Sequence, residues 1–207
     1  MKDFNYTTKT VLEKHQIRIT PDQMAHFKTQ IENSICKIKT KEGSQEIGFL
    51  CLIPHPSQLK QLPVLMTNNH ILTEKDIEKG KIVEFSRNND CKSKILIDGS
   101  RKTYTSVKYD TTFIEIKDND NLDIKSFFEI DYEMYEDISK EKYSQKSIYL
   151  LNFPNNKTML YSIGIIKNME DYNIDFFCFN EIGSSSGPLL NLSNYKVIGI
   201  QKGEKKD

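Results

Sequence analysis

Apolar and polar positions alternate in short runs over most of this chain, a pattern that predicts a protein built mainly from β-strands. From residue 34 onward, Gly, Asn and Asp separate apolar runs at intervals of roughly 8–12 residues, as in β-barrels and sandwiches. The predicted strands are Ser34–Thr40, Glu46–Pro54, Pro63–Thr67, Lys81–Ser86, Lys94–Ile97, Thr103–Val107, Thr112–Lys117, Ser147–Asn152, Lys157–Lys167, Ile174–Asn180, Pro188–Leu190 and Lys196–Gln201. The fold class predicted from this pattern is therefore mainly β.

Helical periodicity is confined to two short segments. In the polar N-terminal extension, Met24, Phe27 and Ile31 recur at helical spacing, which predicts a short amphipathic helix over about residues 21–33. A second helical turn or two is predicted over Thr73–Lys79. Helical structure is thus a minor part of the predicted fold.

The predicted strands fall into two groups, separated by an acidic stretch with few turn glycines. Such a stretch suits a linker that crosses from one half of a protein to the other, so the grouping predicts two small antiparallel barrels of the six-stranded type. The predicted parts are an N-terminal extension with a short helix, residues 1–33; a first barrel, residues 34–118; a linker, residues 119–146; and a second barrel, residues 147–207.

Charge and hydropathy narrow the classes of function. Lys and Arg number 29, as do Asp and Glu, so the formal net charge is zero and gives no general attraction to nucleic acid or an anionic membrane. No stretch approaches the roughly 18–20 apolar residues of a membrane span, and the polar N-terminus lacks the apolar core of a signal peptide. We therefore expect a cytoplasmic protein with no nucleic-acid or membrane partner.

The four cysteines are scattered, with no Cys-x-x-Cys pair and no cluster of Cys and His. Cys36, Cys51 and Cys178 lie inside apolar runs, where a cysteine behaves as a small buried hydrophobic residue. We expect these cysteines to be reduced and structural, in keeping with a cytosolic setting.

The most informative stretch for chemistry is Gly183–Leu189, which reads Gly-Ser-Ser-Ser-Gly-Pro-Leu and lies between two predicted strands. A nucleophilic hydroxyl needs a tight, glycine-bounded turn, because backbone amides must point inward to hold the oxyanion of a tetrahedral intermediate. Gly183 can supply one such amide without obstruction by a side chain, and Ser185 can supply the other. The same letters also suit an ordinary Gly/Ser turn between strands.

Two further segments place titratable side chains beside predicted strands. His70 is the one histidine of the four that closes an apolar strand, although a lone histidine in such a position is most often structural. Asp110 immediately precedes an alternating apolar strand, where aspartates often serve as surface punctuation. A buried carboxylate at that point could instead hold the imidazole in one tautomer and stabilise the imidazolium.

His70, Asp110 and Ser185 occur in an order used by chymotrypsin-type barrels, and this order differs from those of subtilisin-like enzymes and α/β-hydrolases. It places the histidine and the aspartate in the first strand group and the serine in the second. A cleft between two barrels would then assemble the three side chains. On these residues the sequence resembles the trypsin/chymotrypsin superfamily, especially its intracellular, disulfide-free branches.

The resemblance spans roughly residues 34–203 and implies two chymotrypsin-like barrels. The matching segments are Ile47–Leu50, similar to the Gly-Phe-Leu/Ile strand; Thr67–His70, similar to the Thr-x-x-His element; Asp110–Ile116, similar to the aspartate strand; Gly183–Leu189, similar to the Gly-x-Ser-Gly-Gly-Pro-Leu nucleophile loop; and Val197–Ile200, similar to the substrate-lining strand. The nucleophile loop and the histidine element are specific in combination.

The resemblance implies a serine endopeptidase that acts on a protein or peptide without a metal ion or organic cofactor. Ser185 would be the nucleophile, His70 the base, and Asp110 the residue that orients His70. The backbone amides of Gly183 and Ser185 would form the oxyanion hole. The implied substrate-binding residues are Asn180, Ile200, Gln201 and Gly203. Because these positions hold no aspartate that would bind Arg or Lys, a neutral or apolar residue is expected before the cleaved bond.

Two departures from the family pattern support an alternative. Ser186 stands where the family has glycine after the nucleophile, and serine would strain the oxyanion turn if the backbone there must be glycine-like. The family pattern continues for one more strand beyond Asp207. We therefore expect either that the second barrel closes differently, for example with residues 1–33 or a partner chain, or that the chain is a shortened paralogue with weak or no activity. The alternative function is a catalytically weak or inactive pseudopeptidase that binds a peptide or protein. The presence of all three triad residues favours the active peptidase.

Overall fold

The computed structural model describes residues 18–39, 45–55, 60–87, 91–136, 143–152, 160–170, 172–178 and 186–202. The strands are β1 (Ile35–Lys39), β2 (Gln45–Ile53), β3 (Leu62–Thr67), β4 (Lys81–Arg87), β5 (Cys91–Ile97), β6 (Thr103–Ser106), β7 (Thr111–Glu115), β8 (Phe128–Glu129), β9 (Ser147–Asn152), β10 (Leu160–Glu170), β11 (Asn173–Cys178), β12 (Pro188–Asn191) and β13 (Val197–Ile200). The helices are α1 (Pro21–Ser34), α2 (Glu74–Glu78) and α3 (Glu133–Glu136). The prediction of a mainly β fold is confirmed.

Most differences from the predicted elements lie at their ends. The strand predicted from Lys94 begins at Cys91, because β4 and β5 form a hairpin whose pairing continues to Arg87 opposite Cys91. The strand predicted to end at Lys167 continues to Glu170, since its pairing with β11 extends that far. No prediction was made for β8. The described ranges include no helix long and apolar enough to cross a membrane.

The first sheet has the strand order β1-β2-β3-β7-β6, and its strands in this order are antiparallel to their neighbours. The short strand β8 pairs in parallel with β2. Thr67, the last residue of β3, pairs with Thr112, the second residue of β7. The residues that follow β3 therefore lie beside those that precede β7, which brings two of the predicted site residues to one end of the sheet.

The second sheet has the order β11-β10-β9-β12-β13 and is antiparallel throughout. Leu189 on β12 pairs with Leu150 on β9 and with Gly199 on β13. This double pairing holds the start of β12, directly after Ser186 and Gly187. The C-terminal side of the predicted nucleophile turn is thereby attached to the middle of the second sheet.

Each sheet has an apolar cluster of its own, and a third cluster joins the two. The joining cluster contains Phe49 and Val64 from the first sheet and Tyr149, Leu190 and Val197 from the second. Burial of each such side chain stabilises the fold by about 1.5–3 kcal/mol. Because this cluster contains side chains from both sheets, their packing is continuous.

The segment predicted as the linker, residues 119–146, also takes part in this packing. Its residues Phe128 and Ile130 are buried in the joining cluster. Phe128 pairs with Cys51 on β2, and Ile130 forms a parallel bridge to Val197 on β13. The segment therefore contacts both sheets as it crosses between them. The predicted boundaries of the two barrels remain a prediction.

Helix α1 packs over the joining cluster. Phe27 is 1% exposed, and its ring stacks on that of Tyr149 with the centroids 4.2 Å apart. Gln30 accepts a hydrogen bond from the Tyr149 hydroxyl (2.6 Å) and donates one to the carbonyl oxygen of Tyr195 (3.1 Å). The described part of the N-terminal extension thus covers the second sheet without adding a strand to it. A partner chain that completes the second barrel remains a prediction.

Candidate active site

His70 and Asp110 form the centre of the candidate site. The imidazole Nδ1 lies 2.8 Å from Oδ2 of Asp110, and the backbone N–H of His70 donates to Oδ1 of the same carboxylate (3.0 Å). A carboxylate can only accept, so Nδ1 carries a proton, and the lone pair of the neutral imidazole is then on Nε2. The imidazole can therefore take a proton at Nε2 while Asp110 holds its other nitrogen.

The exposure of the two side chains suits these roles, in which His70 exchanges a proton and Asp110 holds the ring. The His70 side chain is 50% exposed, whereas that of Asp110 is 18% exposed. A half-exposed imidazole can be reached by a substrate, and a mostly buried carboxylate interacts with it more strongly than one in open water. The pair is accordingly open on the histidine side and shielded on the aspartate side.

The local backbone explains why these two residues meet. The chain turns directly after β3, where the carbonyl oxygen of Asn68 accepts hydrogen bonds from Ile71 and Leu72 (3.2 Å each). Asp110 ends the tight turn before β7, and its φ of 49° lies in the left-handed region that Asp tolerates better than most residues. Since β3 and β7 are paired, both turns lie at the same end of the first sheet.

The side chains of Thr112 and Asn69 tie the turn after β3 to β7. Thr112 donates from Oγ1 to the carbonyl oxygen of Leu72 (2.7 Å) and accepts from Nδ2 of Asn69 (3.3 Å). Both Thr112 and Asn69 are buried. These bonds satisfy polar groups away from water and keep the turn that carries His70 against β7.

Asn68 connects Asp110 to the second barrel, a contact that the sequence analysis missed. Its Nδ2 donates to the backbone carbonyl oxygen of Asp110 (2.8 Å), and its Oδ1 accepts a short hydrogen bond from Oγ of Ser186. Asn68 and Ser186 are both fully buried. An asparagine between an apolar strand and the histidine was the available signal, because a buried amide needs partners on both its oxygen and its nitrogen.

Ser186 has a φ of 66°, in the left-handed region that favours glycine. Its N–H donates to the carbonyl oxygen of Gln201 (3.0 Å), and the N–H of Gln201 donates to the carbonyl oxygen of Gly187 (2.9 Å). These two bonds continue the pairing of β12 with β13. The sequence analysis named Ser186 as a departure from the family pattern, and the backbone at 186 does adopt a glycine-like conformation.

The structure describes some of the predicted site residues and not others. Ile200 is partly buried and pairs with Pro188, and the neighbouring Gln201 is 6% exposed and lies against the segment after the predicted nucleophile. The predicted site residues that lie outside the described ranges are Gly183, Ser185, Asn180 and Gly203. The predicted base and its orienting carboxylate are thus brought together, and the predicted nucleophile stays a prediction.

Additional contacts cross between the halves near Asp110. The Tyr109 ring meets the Tyr172 ring edge-on with the centroids 5.1 Å apart, and Nζ of Lys202 donates to the carbonyl oxygen of Lys108 (3.1 Å). Tyr172 is 79% exposed although it makes this contact. The two residues that precede Asp110 in the first barrel therefore face residues of the second barrel.

The structure offers no other catalytic group of comparable geometry in the ranges it describes. Over these residues, no group of three or more His, Cys, Asp or Glu side chains is arranged to hold a metal ion. Burial raises the pKa of the Cys51 thiol well above its usual range, so this cysteine stays protonated and is a poor nucleophile. Among the described residues, the His70–Asp110 pair is the arrangement that can carry out acid–base chemistry.

Comparison with known proteins identifies the fold. No protein-family model and no curated protein matches the sequence. Among solved structures, the crystal structure of Deg5 is similar, with a TM-score of 0.58 and 12% identity, covering 89% of this chain and 87% of that chain. The Rv3671c protease of M. tuberculosis, in an inactive form, is similar with a TM-score of 0.54 and 17% identity, covering 82% of this chain and 77% of that chain.

The serine endoprotease from Yersinia pestis is also similar, with a TM-score of 0.55 and 14% identity, covering 89% of this chain and 57% of that chain. At these identities the similarity shows the fold. The chain has the two-barrel fold of trypsin-like serine proteases, which confirms the predicted fold.

Proposed function

We propose that this chain is a serine endopeptidase that uses Ser185, His70 and Asp110. The observation that carries the proposal is the contact between His70 Nδ1 and Asp110 Oδ2, 2.8 Å long, within a fold otherwise found in serine proteases. That contact leaves Nε2 as the basic nitrogen, which is the tautomer that activates a serine hydroxyl. Ser185 is assigned as the nucleophile because Pro188 follows it by three residues, as in the family's loop.

In the proposed reaction, Ser185 Oγ forms a bond to the carbonyl carbon of the peptide while its proton moves to Nε2 of His70. The tetrahedral oxyanion accepts hydrogen bonds from the N–H groups of Gly183 and Ser185. His70 then gives the proton to the departing amine as the C–N bond breaks, which leaves an acyl group on Ser185. A water molecule then attacks this ester while His70 takes its proton, and His70 returns that proton to Ser185 Oγ as the ester bond breaks and the carboxylic acid is released.

Asp110 contributes by holding His70 and by stabilising its charged form. The carboxylate accepts hydrogen bonds from both the backbone N–H and the ring Nδ1 of His70, so the ring is oriented relative to its own backbone. Because the side chain of Asp110 is mostly buried, its negative charge interacts with the imidazolium at a low effective dielectric constant. The imidazolium that Asp110 stabilises is present in the transition state, where the proton of the serine has moved to His70.

The expected preference for a neutral or apolar residue before the cleaved bond belongs to the same proposal. The segment Val197–Lys202 borders the proposed primary pocket and contains no acidic side chain. A panel of fluorogenic peptides that differ at this residue tests the preference. We expect faster cleavage after uncharged residues than after Arg or Lys, and cleavage restricted to Arg and Lys would contradict it.

A reducing, cytoplasmic compartment is proposed on the state of the thiols. The four cysteines are scattered in the sequence with no Cys-x-x-Cys pair, and Cys36 and Cys51 are fully buried. Disulfides are rare in proteins that stay in such a compartment. Fractionation of cells that express the native protein would test the assignment, and recovery with secreted or membrane fractions would contradict it.

The direct test of the function is labelling of the purified protein by a fluorophosphonate, which reacts with serines that have an activated hydroxyl. We expect the wild type to be labelled, Ser185→Ala to lose labelling by a factor of at least about 10⁴, and Ser184→Ala to retain it. The Ser184 variant is the matched control because it removes a hydroxyl from the same loop. Labelling that survives Ser185→Ala would contradict the assignment of the nucleophile.

The left-handed conformation of Ser186 is the one observation that favours the alternative of a peptide-binding module without efficient catalysis. A non-glycine residue held in an unfavourable backbone region costs of the order of 1–3 kcal/mol, and that strain could disturb the oxyanion turn. A folded wild-type protein that binds peptides but resists both labelling and peptide cleavage would support this alternative and contradict the peptidase.

A further inference from the structure

A buried chain of hydrogen bonds runs from the turn before β12 to the backbone of Asp110. Ser186 donates from Oγ to Oδ1 of Asn68, a residue 118 positions away in the sequence, and Asn68 donates from Nδ2 to the carbonyl oxygen of Asp110. We call these two bonds the Asn68 bridge. Ser186 and Asn68 are both 0% exposed, so neither can replace its partner with water.

The chemistry of the partners determines how the Asn68 amide is oriented. A backbone carbonyl oxygen can only accept, so the nitrogen of the amide must face Asp110. The amide oxygen is then left to face Ser186, whose hydroxyl can donate. The reverse orientation would set two acceptors against each other at Asp110. The Asn68 bridge therefore has one direction, and it requires a hydroxyl or another donor at position 186.

The Asn68 bridge ends on the residue that orients the proposed base. Asp110 accepts a hydrogen bond from Asn68 at its backbone carbonyl oxygen and hydrogen bonds from His70 at its carboxylate. Its φ of 49° is in the left-handed region, where few residues lie without support from neighbouring contacts. Asn68 supplies such a contact from the strand end that also leads into the His70 turn.

The other end of the Asn68 bridge explains why a serine is found at position 186. With a φ of 66°, this position would be unstrained with glycine, and serine there carries a conformational cost. Glycine has no side chain that could donate to Asn68, however. Without the serine hydroxyl, the buried amide oxygen of Asn68 would have no hydrogen-bond partner. The hydroxyl offsets the strain and ties the residue directly after Ser185 to the first barrel.

We propose that Ser186 and Asn68 are positioning residues that set the proposed nucleophile turn relative to the His70–Asp110 pair across the two barrels. This inference rests on the proposed peptidase function. Under this proposal, the serine at position 186 contributes to the geometry of the site and is not a sign of lost activity. Ser186 and Asn68 act through their neighbours and do not touch the substrate.

The first test is a double-mutant cycle measured by urea unfolding of the full chain, with Asn68→Ala, Ser186→Ala and the double variant. This readout reports the hydrogen bond whether or not the protein is active. We expect the two substitutions to be coupled, so that the folded-to-unfolded ratio of the double variant differs about fivefold or more from the product of the single effects. Additive effects would overturn the Asn68 bridge.

The second test separates positioning from mere stability by following fluorophosphonate labelling at increasing probe concentration, at a temperature where every variant is folded. We expect Asn68→Ala and Ser186→Ala to lower the maximal labelling rate by about 10- to 100-fold, with little change in the half-saturating probe concentration. Asn191→Ala is the matched control. It removes a buried asparagine side chain whose hydrogen bonds go to Asp131 and Ser193, and we expect its rate to change by less than about threefold.

If Asn68→Ala does not fold, the comparison of Ser186→Ala with Ser186→Gly still decides. Both variants lack the hydroxyl, and glycine also removes the strain, so both should label more slowly than the wild type. A Ser186→Gly protein that labels as fast as the wild type would overturn the positioning role. Coupled stability with unchanged labelling rates would make the bond purely structural and would also overturn it. Failure of the wild type to label would instead count against the peptidase function, and the positioning role would fall with it.

Discussion

The two halves of the proposed site are held by different kinds of interaction. In the first barrel, His70 and Asp110 lie just beyond the ends of β3 and β7, and the pairing of these strands, with the side-chain bonds of Thr112 and Asn69, brings them together. In the second barrel, the segment before β12 is held by the backbone bond from Ser186 to Gln201 and by the cross-barrel bond from Ser186 to Asn68. The base and its carboxylate thus depend on one sheet, whereas the serine side depends on contact between two barrels.

Because of this difference, substitutions in the two halves should have separable effects. Changes to the His70–Asp110 pair should affect chemistry while the strands that carry it remain folded. Changes to the packing between the second sheet and its surroundings should affect stability first.

Asp110→Asn should have the largest effect on chemistry. An asparagine amide can donate to Nδ1 and would favour the tautomer with the proton on Nε2, so we expect labelling and peptide cleavage to fall by about 10³- to 10⁴-fold. The unfolding midpoint in urea should change far less, because the paired strands β3 and β7 are unaltered. Asp118→Asn removes an exposed carboxylate that makes no hydrogen bond to His70, and it should leave the labelling rate unchanged. A fully active Asp110→Asn protein would refute the role of Asp110.

Phe27→Ala should have the largest effect on stability on the side of the second barrel. The Phe27 ring is buried against Tyr149, and its loss should leave a cavity that lowers the free energy of unfolding by about 3–5 kcal/mol. Met24 lies on the same helix with 49% of its surface exposed, so Met24→Ala should cost less than about 0.5 kcal/mol. Urea unfolding measures both. Equal effects of the two substitutions would show that α1 does not pack on the second sheet.

Asp120→Asn tests the support of the first barrel, and its effect should depend on pH. Arg101 binds both carboxylate oxygens of Asp120 (2.7 and 2.8 Å) and also donates to the carbonyl oxygen of Glu115 at the end of β7. Both charged side chains are less than a tenth exposed, so removing one partner should cost about 3 kcal/mol at pH 7. The folded fraction that remains should still be labelled at the wild-type rate.

The pH dependence follows from the direction of the Asp120 pKa. Burial raises this pKa, but hydrogen bonds from Arg101 and from the Lys117 N–H lower it more, and the net result is a pKa below the ordinary value. The stability from this group is therefore present above the unfolded pKa of about 3.9 and is lost as the pH falls through the lower folded pKa. Asp120→Asn should flatten the acid limb of the stability curve below about pH 4. Glu32→Gln, in an exposed pair with Lys28, should leave that limb nearly unchanged. An unchanged acid limb in Asp120→Asn would refute the role of the ion pair.

Features of this protein that depend on a local pattern of residues can be predicted from its sequence. Alternating apolar positions located most of the strands, and the residues that adjoin them, His70 and Asp110, could be assigned a joint role from the family resemblance. The alternation does not predict β8, because a two-residue strand has too few positions to show it. The parallel pairing of β8 with β2 is likewise not signalled by neighbouring residues, since it joins segments far apart in the chain.

The Asn68 bridge shows the same limit within the site. In the sequence, Asn68 is a polar residue after an apolar strand, and Ser186 stands where the family has glycine; neither residue alone indicates a functional contact. Their contact in the structure accounts for both residues, because the Ser186 hydroxyl donates the hydrogen bond that the buried amide oxygen of Asn68 requires. A sequence pattern does not record which distant side chain will satisfy a buried polar group.

The mainly β character of this protein, its two groups of strands and its candidate base, carboxylate and nucleophile can thus be predicted from the order of residues, because strand periodicity and glycine-bounded turns are properties of neighbouring residues. Three features depend on the folded molecule: the register that joins His70 to Asp110, the packing of α1 over the second sheet and the bond between Ser186 and Asn68. These depend on which apolar faces and buried polar groups meet across the fold, and that is settled only when the two barrels pack together.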